Sequence, residues 1–257
     1  MRSTDYINNL FSLEGRVGIV TGASRGIGMG IAKVLTDAGA RVYSLSRGER
    51  SEDEVISGDM IDVKVDLTDY AATKRVLRDI ADREGHLDFL VNNAGITYKE
   101  RAEQFPEEKY RMITQVNLEV LFEISRQAFP YLKQSEYVGR IINISSMAAH
   151  MGFAGVVPYC MTKSGVNGLT RGLAQEWKQD NILVNSVAPG WCLTKLNQEM
   201  FEKNPDRKAA ALDKITLGRF GCPEEVGHMV LFLLSRASAY LTGQEFAVDG
   251  GALTHGY

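Results

Sequence analysis

Seven short apolar runs recur along this chain, separated by longer segments of helical period, and that alternation constrains the fold more than any other feature. The runs are Arg16 to Thr21, Arg41 to Leu45, Asp62 to Val65, Asp88 to Val91, Arg140 to Ile144, Leu183 to Ala188 and Glu245 to Val248. Each is bounded like a buried strand. Between them Ile27, Ile31, Val34, Leu35 and Ala38 repeat at helical spacing, as do Ile113, Val120, Leu121, Ile124, Ala128 and Leu132. Strand, helix, strand throughout predicts a parallel sheet covered by helices on both faces, with ligands bound beyond the carboxyl ends of the strands. The expected fold is one doubly wound α/β domain over residues 1–257, with functional residues directly after strands.

No repeat, low-complexity tract or Pro/Gly/Ser-rich linker divides the chain. The segment from Trp191 to Gly221 breaks the alternation with polar and charged residues, which reads as a substrate lid or as a plain surface insertion. Lys plus Arg number 29 against 32 Asp plus Glu, so the overall charge gives no sign of nucleic acid or an anionic membrane as partner. A small-molecule partner is expected. Met1 to Arg16 lacks a basic region followed by an apolar core, and no stretch approaches the length of a membrane span, so a cytoplasmic protein is expected. Cys160, Cys192 and Cys222 show neither CxxC nor His–Cys spacing. They read as reduced thiols with no metal site, Cys160 as a small buried hydrophobe.

The first strand runs into Thr21-Gly22-Ala23-Ser24-Arg25-Gly26-Ile27-Gly28 and then a helix. Glycines let the backbone turn tightly and approach a pyrophosphate, and a helix N-terminus offers free N–H groups and a partial positive charge. The spacing Gly-x-x-x-Gly-x-Gly differs from the Gly-x-Gly-x-x-Gly fingerprint, but the mechanism is the same. At the end of the second strand, where an acidic residue favours the free 2′-hydroxyl of NAD, stand Ser46 and Arg47. Arg47 and Arg25 suit a 2′-phosphate, so NADP(H) is expected in preference to NAD(H). The competing reading makes both arginines solvated surface residues, with acidic Glu49 and Glu52 nearby.

Tyr159 and Lys163 stand four apart, on one face of a helix. General acid–base work by a phenol near neutrality needs its pKa lowered by about three units, roughly 4 kcal/mol. A nearby ammonium can supply much of that. The strand Arg140 to Ile144 ends in Ser145-Ser146, delivering a hydroxyl to the carboxyl edge, either for substrate or as a helix cap. Asn117 falls on the apolar stripe between Ile113 and Leu121, where its amide must find partners, in a site or simply in the core.

Taken together these motifs resemble the short-chain dehydrogenase/reductase family over roughly Leu13 to Gly251. The resemblance is carried by Thr21 to Gly28, Asp66-Leu67, Asn92-Asn93-Ala94-Gly95, Asn117, Ser146, Tyr159, Lys163 and Pro189-Gly190 followed by Thr194, in order. It implies a Rossmann-type fold and an NADP(H)-dependent oxidoreductase that interconverts a carbonyl and a secondary alcohol. Tyr159 would act as general acid–base, Lys163 would hold the nicotinamide ribose and lower that pKa, and Ser146 would orient the substrate oxygen. Asn117 would hold a water that connects Lys163 to solvent. The family's spacing selects Ser146 over Ser145. Gly22, Ser24, Arg25, Gly26, Ile27, Gly28, Ser46, Arg47, Asp66, Leu67, Asn93, Tyr159, Lys163, Pro189, Gly190 and Thr194 would line the cofactor, and a homotetramer would be the assembly.

Substrate choice falls on the loops. The loop after Gly95 carries Tyr98, Lys99 and Arg101, the loop after Ser146 carries His150, Met151 and Phe153, and the lid begins at Trp191. Lys99 and the opening Leu10 to Gly15 resemble gluconate 5-dehydrogenase-like members, which implies a keto-sugar acid or polyol. Gly221 to Glu225 resembles ketoacyl carrier-protein reductases, which implies a 3-ketoacyl thioester. A nucleotide-binding regulator without chemistry is the remote third reading, opposed by the intact Ser146, Tyr159 and Lys163.

Overall fold

The structure is a computed structural model that describes residues 3–50, 56 and 58–254. Glu52 and the two chain ends lie outside them. Seven parallel strands form one sheet: β1 (Val17–Thr21), β2 (Arg41–Ser46), β3 (Met60–Lys64), β4 (Phe89–Asn92), β5 (Gly139–Ile144), β6 (Ile182–Pro189) and β7 (Glu245–Val248). Their spatial order is β3-β2-β1-β4-β5-β6-β7. The order reverses between β1 and β4, which opens a crevice at their carboxyl ends. All seven expected strands are present. The third starts at Met60 rather than Asp62, because Met60 and Ile61 find register partners in Val42 and Tyr43 of β2.

Nine helices are described: α1 (Ser3–Phe11), α2 (Gly26–Asp37), α3 (Tyr70–Glu84), α4 (Glu107–Thr114), α5 (Val120–Leu132), α6 (Val157–Glu176), α7 (Lys195–Lys203), α8 (Pro205–Leu212) and α9 (Pro223–Leu234). Strand alternation divides the core between the two sheet faces. Ile19, Leu90, Ile141 and Val184 face Leu77 and Ile80 of α3, Val120 and Ile124 of α5 and Leu173 of α6. Val20, Val91, Ile142 and Val187 face Ile31 and Leu35 of α2 and Val226, Val230 and Leu233 of α9. Helices α2 and α9 touch through glycine: a β-carbon at Gly30 would lie 2.3 Å from Cβ of Pro223.

Two features depart from the regular pattern. The helical stretch after Pro106 is interrupted by a π turn at Gln115–Glu119, where the Val120 N–H bonds the carbonyl of Gln115, five residues back. The turn carries Asn117, whose amide is held by the backbone of a neighbouring loop. The excursion after Trp191 is built from α7 and α8 and is closed at its base by backbone hydrogen bonds from Leu193 N to Gly221 O (2.7 Å) and from Gly221 N to Trp191 O (3.0 Å). Phe201 and Phe220 stack inside it, ring centroids 4.7 Å apart.

Candidate active site

β1 ends at Thr21 and the chain turns away through Gly22 (φ 67) and Gly26 (φ 60), left-handed conformations that suit glycine. Helix α2 starts there, with its open N-terminus at the carboxyl edge of the sheet. Asn93 holds this turn in shape. Its Nδ2 donates to the carbonyls of Thr21 (2.9 Å) and Gly22 (3.2 Å). Its own N–H and that of Ala94 donate to Thr21 Oγ1 at 2.9 and 3.0 Å. A β-carbon at Gly28 would lie 2.4 Å from Asn93 Nδ2 and 2.4 Å from Gly22 O. Asn93, expected to line a nucleotide, also clasps with its amide the glycine loop beside it. Ile27 is half-buried against the α2 and α9 core. Across the groove, Thr194 caps α7 and its Cγ2 comes within 3.7 Å of where a β-carbon of Gly26 would be.

On the other flank Ser46 Oγ accepts from the Ser24 N–H at 3.3 Å. Arg25 and Arg47 are both exposed. Asp66 Oδ1 accepts from the N–H (3.0 Å) and hydroxyl (2.8 Å) of Thr68. The Thr68 backbone bond, and more weakly the charge of Arg47, hold the Asp66 carboxyl below its ordinary value against the opposing effect of burial. Leu67 beside it is buried. Glu49 is paired with Lys64 at 3.6 Å. At the far end of β6, Pro189 leads into Gly190, whose N–H bonds Val248 O at 3.0 Å and where a β-carbon would meet Asp249 Cα at 2.6 Å. Left-handed glycines, a helix N-terminus and a cradle that a β-carbon would fill at Gly28 fit a dinucleotide.

The chemical groups meet beside this groove. Adjacent serines at the end of β5 diverge: Ser145 Oγ donates to the carbonyl of Lys163 at 3.3 Å, while the Ser146 hydroxyl lies close enough to the Tyr159 phenol to lower its pKa. Ser146 also caps the short turn Met147–Ala149, accepting from the Ala148 N–H at 3.1 Å, so capping leaves its proton free for Tyr159. Lys163 is buried on α6, its Nζ donating to Ile144 O at 2.7 Å and lying 5.7 Å from the centroid of the Tyr159 ring. Asn117 is fully buried: Oδ1 accepts from Ile96 N (2.8 Å), and Nδ2 donates to Ile96 O (2.9 Å) and to Thr162 Oγ1 (3.3 Å). A β-carbon at Gly95 would lie 3.4 Å from Asn117 Oδ1 and 3.7 Å from Lys163 Nζ, so acceptor and donor flank one small space.

Burial pushes the Tyr159 phenol above its ordinary value, opposed by its hydrogen bond with Ser146. The lowering expected from Lys163 is not what this state displays. Desolvation acts on both groups and brings the Lys163 amine itself down to about 8. The part that Thr162 plays in holding Asn117 escapes a reading of sequence, because a buried threonine is common in any core.

In the loops, Lys99 has no ion-pair partner among the described residues, whereas Arg101 is paired with Glu103. The Lys99 stem lies over Gly155, 3.1 Å from where its β-carbon would be, and Glu100 N bonds Gly155 O at 2.8 Å. Phe153 meets Trp191 edge to face at 5.9 Å, joining the loop after Ser146 to the start of the excursion. His150 is drawn to Glu245 of β7. Cys160 is half-buried and Cys222 exposed, so the expected burial of Cys160 is only partial; Cys192 is buried. No helix among the described residues is long and apolar enough to cross a membrane.

A doubly wound sheet with a dinucleotide cradle and a Ser–Tyr–Lys cluster at one edge defines a nicotinamide-dependent oxidoreductase. Residues 22–253 match the family model described as enoyl-(acyl carrier protein) reductase. The chain is 36% identical over 251 residues to the 2-dehydro-3-deoxy-D-gluconate 5-dehydrogenase of Escherichia coli (strain K12), covering 96% of this chain and 99% of that one. It is 37% identical over 243 residues to the 3-oxoacyl-[acyl-carrier-protein] reductase FabG of Vibrio cholerae, covering 93% and 98%. A crystal structure from Agrobacterium tumefaciens, described as a 2-deoxy-D-gluconate 3-dehydrogenase with bound NADP, superposes with a TM-score of 0.87 at 36% identity, covering 96% of this chain and all of that one. The chain belongs to the short-chain dehydrogenase/reductase family, and it acts on CH–OH and carbonyl groups.

Proposed function

We propose that this protein is an NADP(H)-preferring dehydrogenase of a keto-sugar acid or its polyhydroxy alcohol, with Tyr159 as general acid–base. The observation that carries this is the convergence of the Ser146 hydroxyl on the Tyr159 phenol while Lys163 Nζ is fixed on Ile144 O. Bound in the cradle, the nicotinamide dinucleotide supplies or accepts the hydride. Ser146 donates to the substrate oxygen, Tyr159 gives or takes its proton, and Lys163 stabilises the phenolate and holds the ribose. Asn117 Oδ1, beside Gly95, holds a water that links Lys163 to solvent. Gly22, Ser24, Gly26, Ile27 and Gly28 hold the pyrophosphate, Asp66, Leu67 and Asn93 the adenosine side, and Pro189, Gly190 and Thr194 the carboxamide side.

NADP preference is supported by the exposed Arg25 and Arg47 and by NADP in the Agrobacterium structure. The sugar-acid reading is supported by the likeness to dehydrogenases named for gluconate derivatives and by the unpaired Lys99. The second reading, a 3-ketoacyl thioester reductase, is favoured by the equal likeness to FabG. A screen of purified protein with gluconate-type acids, polyols and a 3-ketoacyl thioester, using each cofactor and following nicotinamide absorbance, decides between them.

The single domain includes residues 191–221 as a lid, a role supported by the closed base at Trp191 and Gly221. A homotetramer is supported by the exposed Phe122, Met161, Tyr110 and Met112 on α4, α5 and α6, and by an apolar groove of about 360 Å³ between Tyr70, Leu118, Phe122 and Leu169. Sedimentation of the native protein and of Phe122→Glu tests the assembly. The cytoplasm is the compartment that suits free thiols.

A further inference from the structure

Thr162 is 2% exposed and lies between Tyr159 and Lys163 on α6, and both hydrogen-bonding capacities of its hydroxyl serve the site. The hydroxyl donates to the carbonyl of Tyr159 at 2.9 Å and accepts from Asn117 Nδ2 at 3.3 Å. Asn117 sits on the π turn and is already held by both backbone groups of Ile96. One hydroxyl thus joins the π turn to the first turn of α6. Asn117 Oδ1 and Lys163 Nζ flank the space beside Gly95, 3.4 and 3.7 Å from the same point.

We infer that Thr162 is a positioning residue: it holds Asn117 against the turn that carries Tyr159 and so sets the spacing of Asn117 Oδ1 and Lys163 Nζ across Gly95. The inference rests on the roles proposed for Tyr159 and Lys163. Asn117 Oδ1 and Lys163 Nζ border the same space beside Gly95; the water proposed there would accept from Lys163 and favour its charged form, and a charged Lys163 favours the phenolate. Without the Thr162 hydroxyl Asn117 keeps its two bonds to Ile96 but loses its tie to α6, the space it shares with Lys163 is no longer fixed, and Tyr159 titrates higher. A threonine that served only packing would affect stability and leave the titration alone.

The test is a spectrophotometric titration of the Tyr159 phenol in the intact protein, taken as the difference between each protein and the same protein carrying Tyr159→Phe. Thr162→Val, which keeps the branched shape, is expected to move the midpoint upward by about half a unit or more. Thr162→Ser restores it. With D-gluconate, or the substrate giving most turnover in the screen, kcat of Thr162→Val falls roughly tenfold with KM little changed. If Thr162→Val does not fold, Thr162→Ala takes its place. A midpoint within error of the native one in a folded variant overturns the inference. Turnover by Tyr159→Phe near the native rate overturns the proposed function instead, while the Thr162 titration still stands or falls by itself.

Discussion

The buried Lys163 ammonium is anchored 2.7 Å from the carbonyl oxygen of Ile144, the last residue of β5, so the helix bearing Tyr159 is tied to the sheet by a charged group out of water. Burial brings that amine from 10.5 to about 8. Between those values the unfolded chain still binds a proton that the native state has lost, so stability rises as pH climbs through this window and is lower below about 8. Lys163→Met removes the buried charge and is expected to raise the unfolding free energy at pH 7 by about 1–3 kcal/mol while abolishing turnover. Thermal unfolding of cofactor-free protein at about pH 7 and about pH 9.5 checks it: the gain should shrink at the higher pH. A lower Tm than native at the neutral point would show that the Ile144 contact outweighs desolvation.

Ser145 and Ser146 separate structure from chemistry within two adjacent residues. Ser146→Ala is expected to lower kcat roughly a hundredfold, since a positioned group that acts in the transition state is lost. Ser145→Ala removes a buried bond to Lys163 O and should cost about 1 kcal/mol of stability with kcat changed only a few-fold. Steady-state kinetics and denaturant titration of both variants measure the contrast; equal kinetic losses would mean that Ser146 is no more than a cap.

The sheet was legible because seven apolar runs can be spaced so regularly only if each crosses the same core, and the glycine turn because few other residues accept φ near 67. What escaped the sequence is mostly partnership across long separations. Arg16 and Arg140 open β-strand runs as unwelcome charges, yet both are buried and bond carbonyls at and just past the end of α9: Arg16 Nη1 reaches Leu234 O, Arg140 Nη1 reaches Leu233 O at 2.9 Å, and its Nη2 reaches Ser235 O at 3.1 Å. A cation at a helix C-terminus is favourable, but nothing local announces it. The π turn was hidden because Ile113, Asn117 and Leu121 keep fourfold spacing whether or not one residue is added to the helix. The upward push of burial on Tyr159 in the cofactor-free protein is not legible in the sequence, because spacing reveals the neighbouring charge and says nothing of how dry the pocket is.

Gly28 has no room for a side chain. A β-carbon there would press on Asn93 Nδ2, which can turn aside, and on the carbonyl of Gly22, which cannot without moving the cofactor turn. Gly28→Ala is therefore expected to cost roughly 1–3 kcal/mol of stability and to weaken both cofactors alike. Arg47→Ala should act differently, weakening NADP(H) by about 1.5–3 kcal/mol and leaving NAD(H) nearly unchanged. Isothermal titration with both cofactors separates a distorted turn from a lost phosphate partner. Equal losses for NADP(H) and NAD(H) in Arg47→Ala would reassign that arginine to the solvated surface.

Lys99 carries the prediction that reaches furthest toward substrate. Its neighbour Arg101 is neutralised by Glu103, but Lys99 itself lies stretched over Gly155 with its ammonium unpaired among the described residues. Gly155 sits at φ 80 in the loop between Ser146 and Tyr159, so the stem of Lys99 is guided along the segment joining them. An unpaired cation on such a loop attracts an anionic substrate and contacts its carboxylate both before and during reaction. Such uniform binding appears in KM and not in kcat. Lys99→Ala should raise KM for a gluconate-type acid about tenfold, with little change in kcat and little change for the uncharged polyol. Gly155→Ala, which crowds the Lys99 stem at a left-handed position, should reproduce part of the KM effect while leaving the charge in place. If both variants affect acid and polyol alike, Lys99 is only a solvated charge and the thioester reading gains the ground.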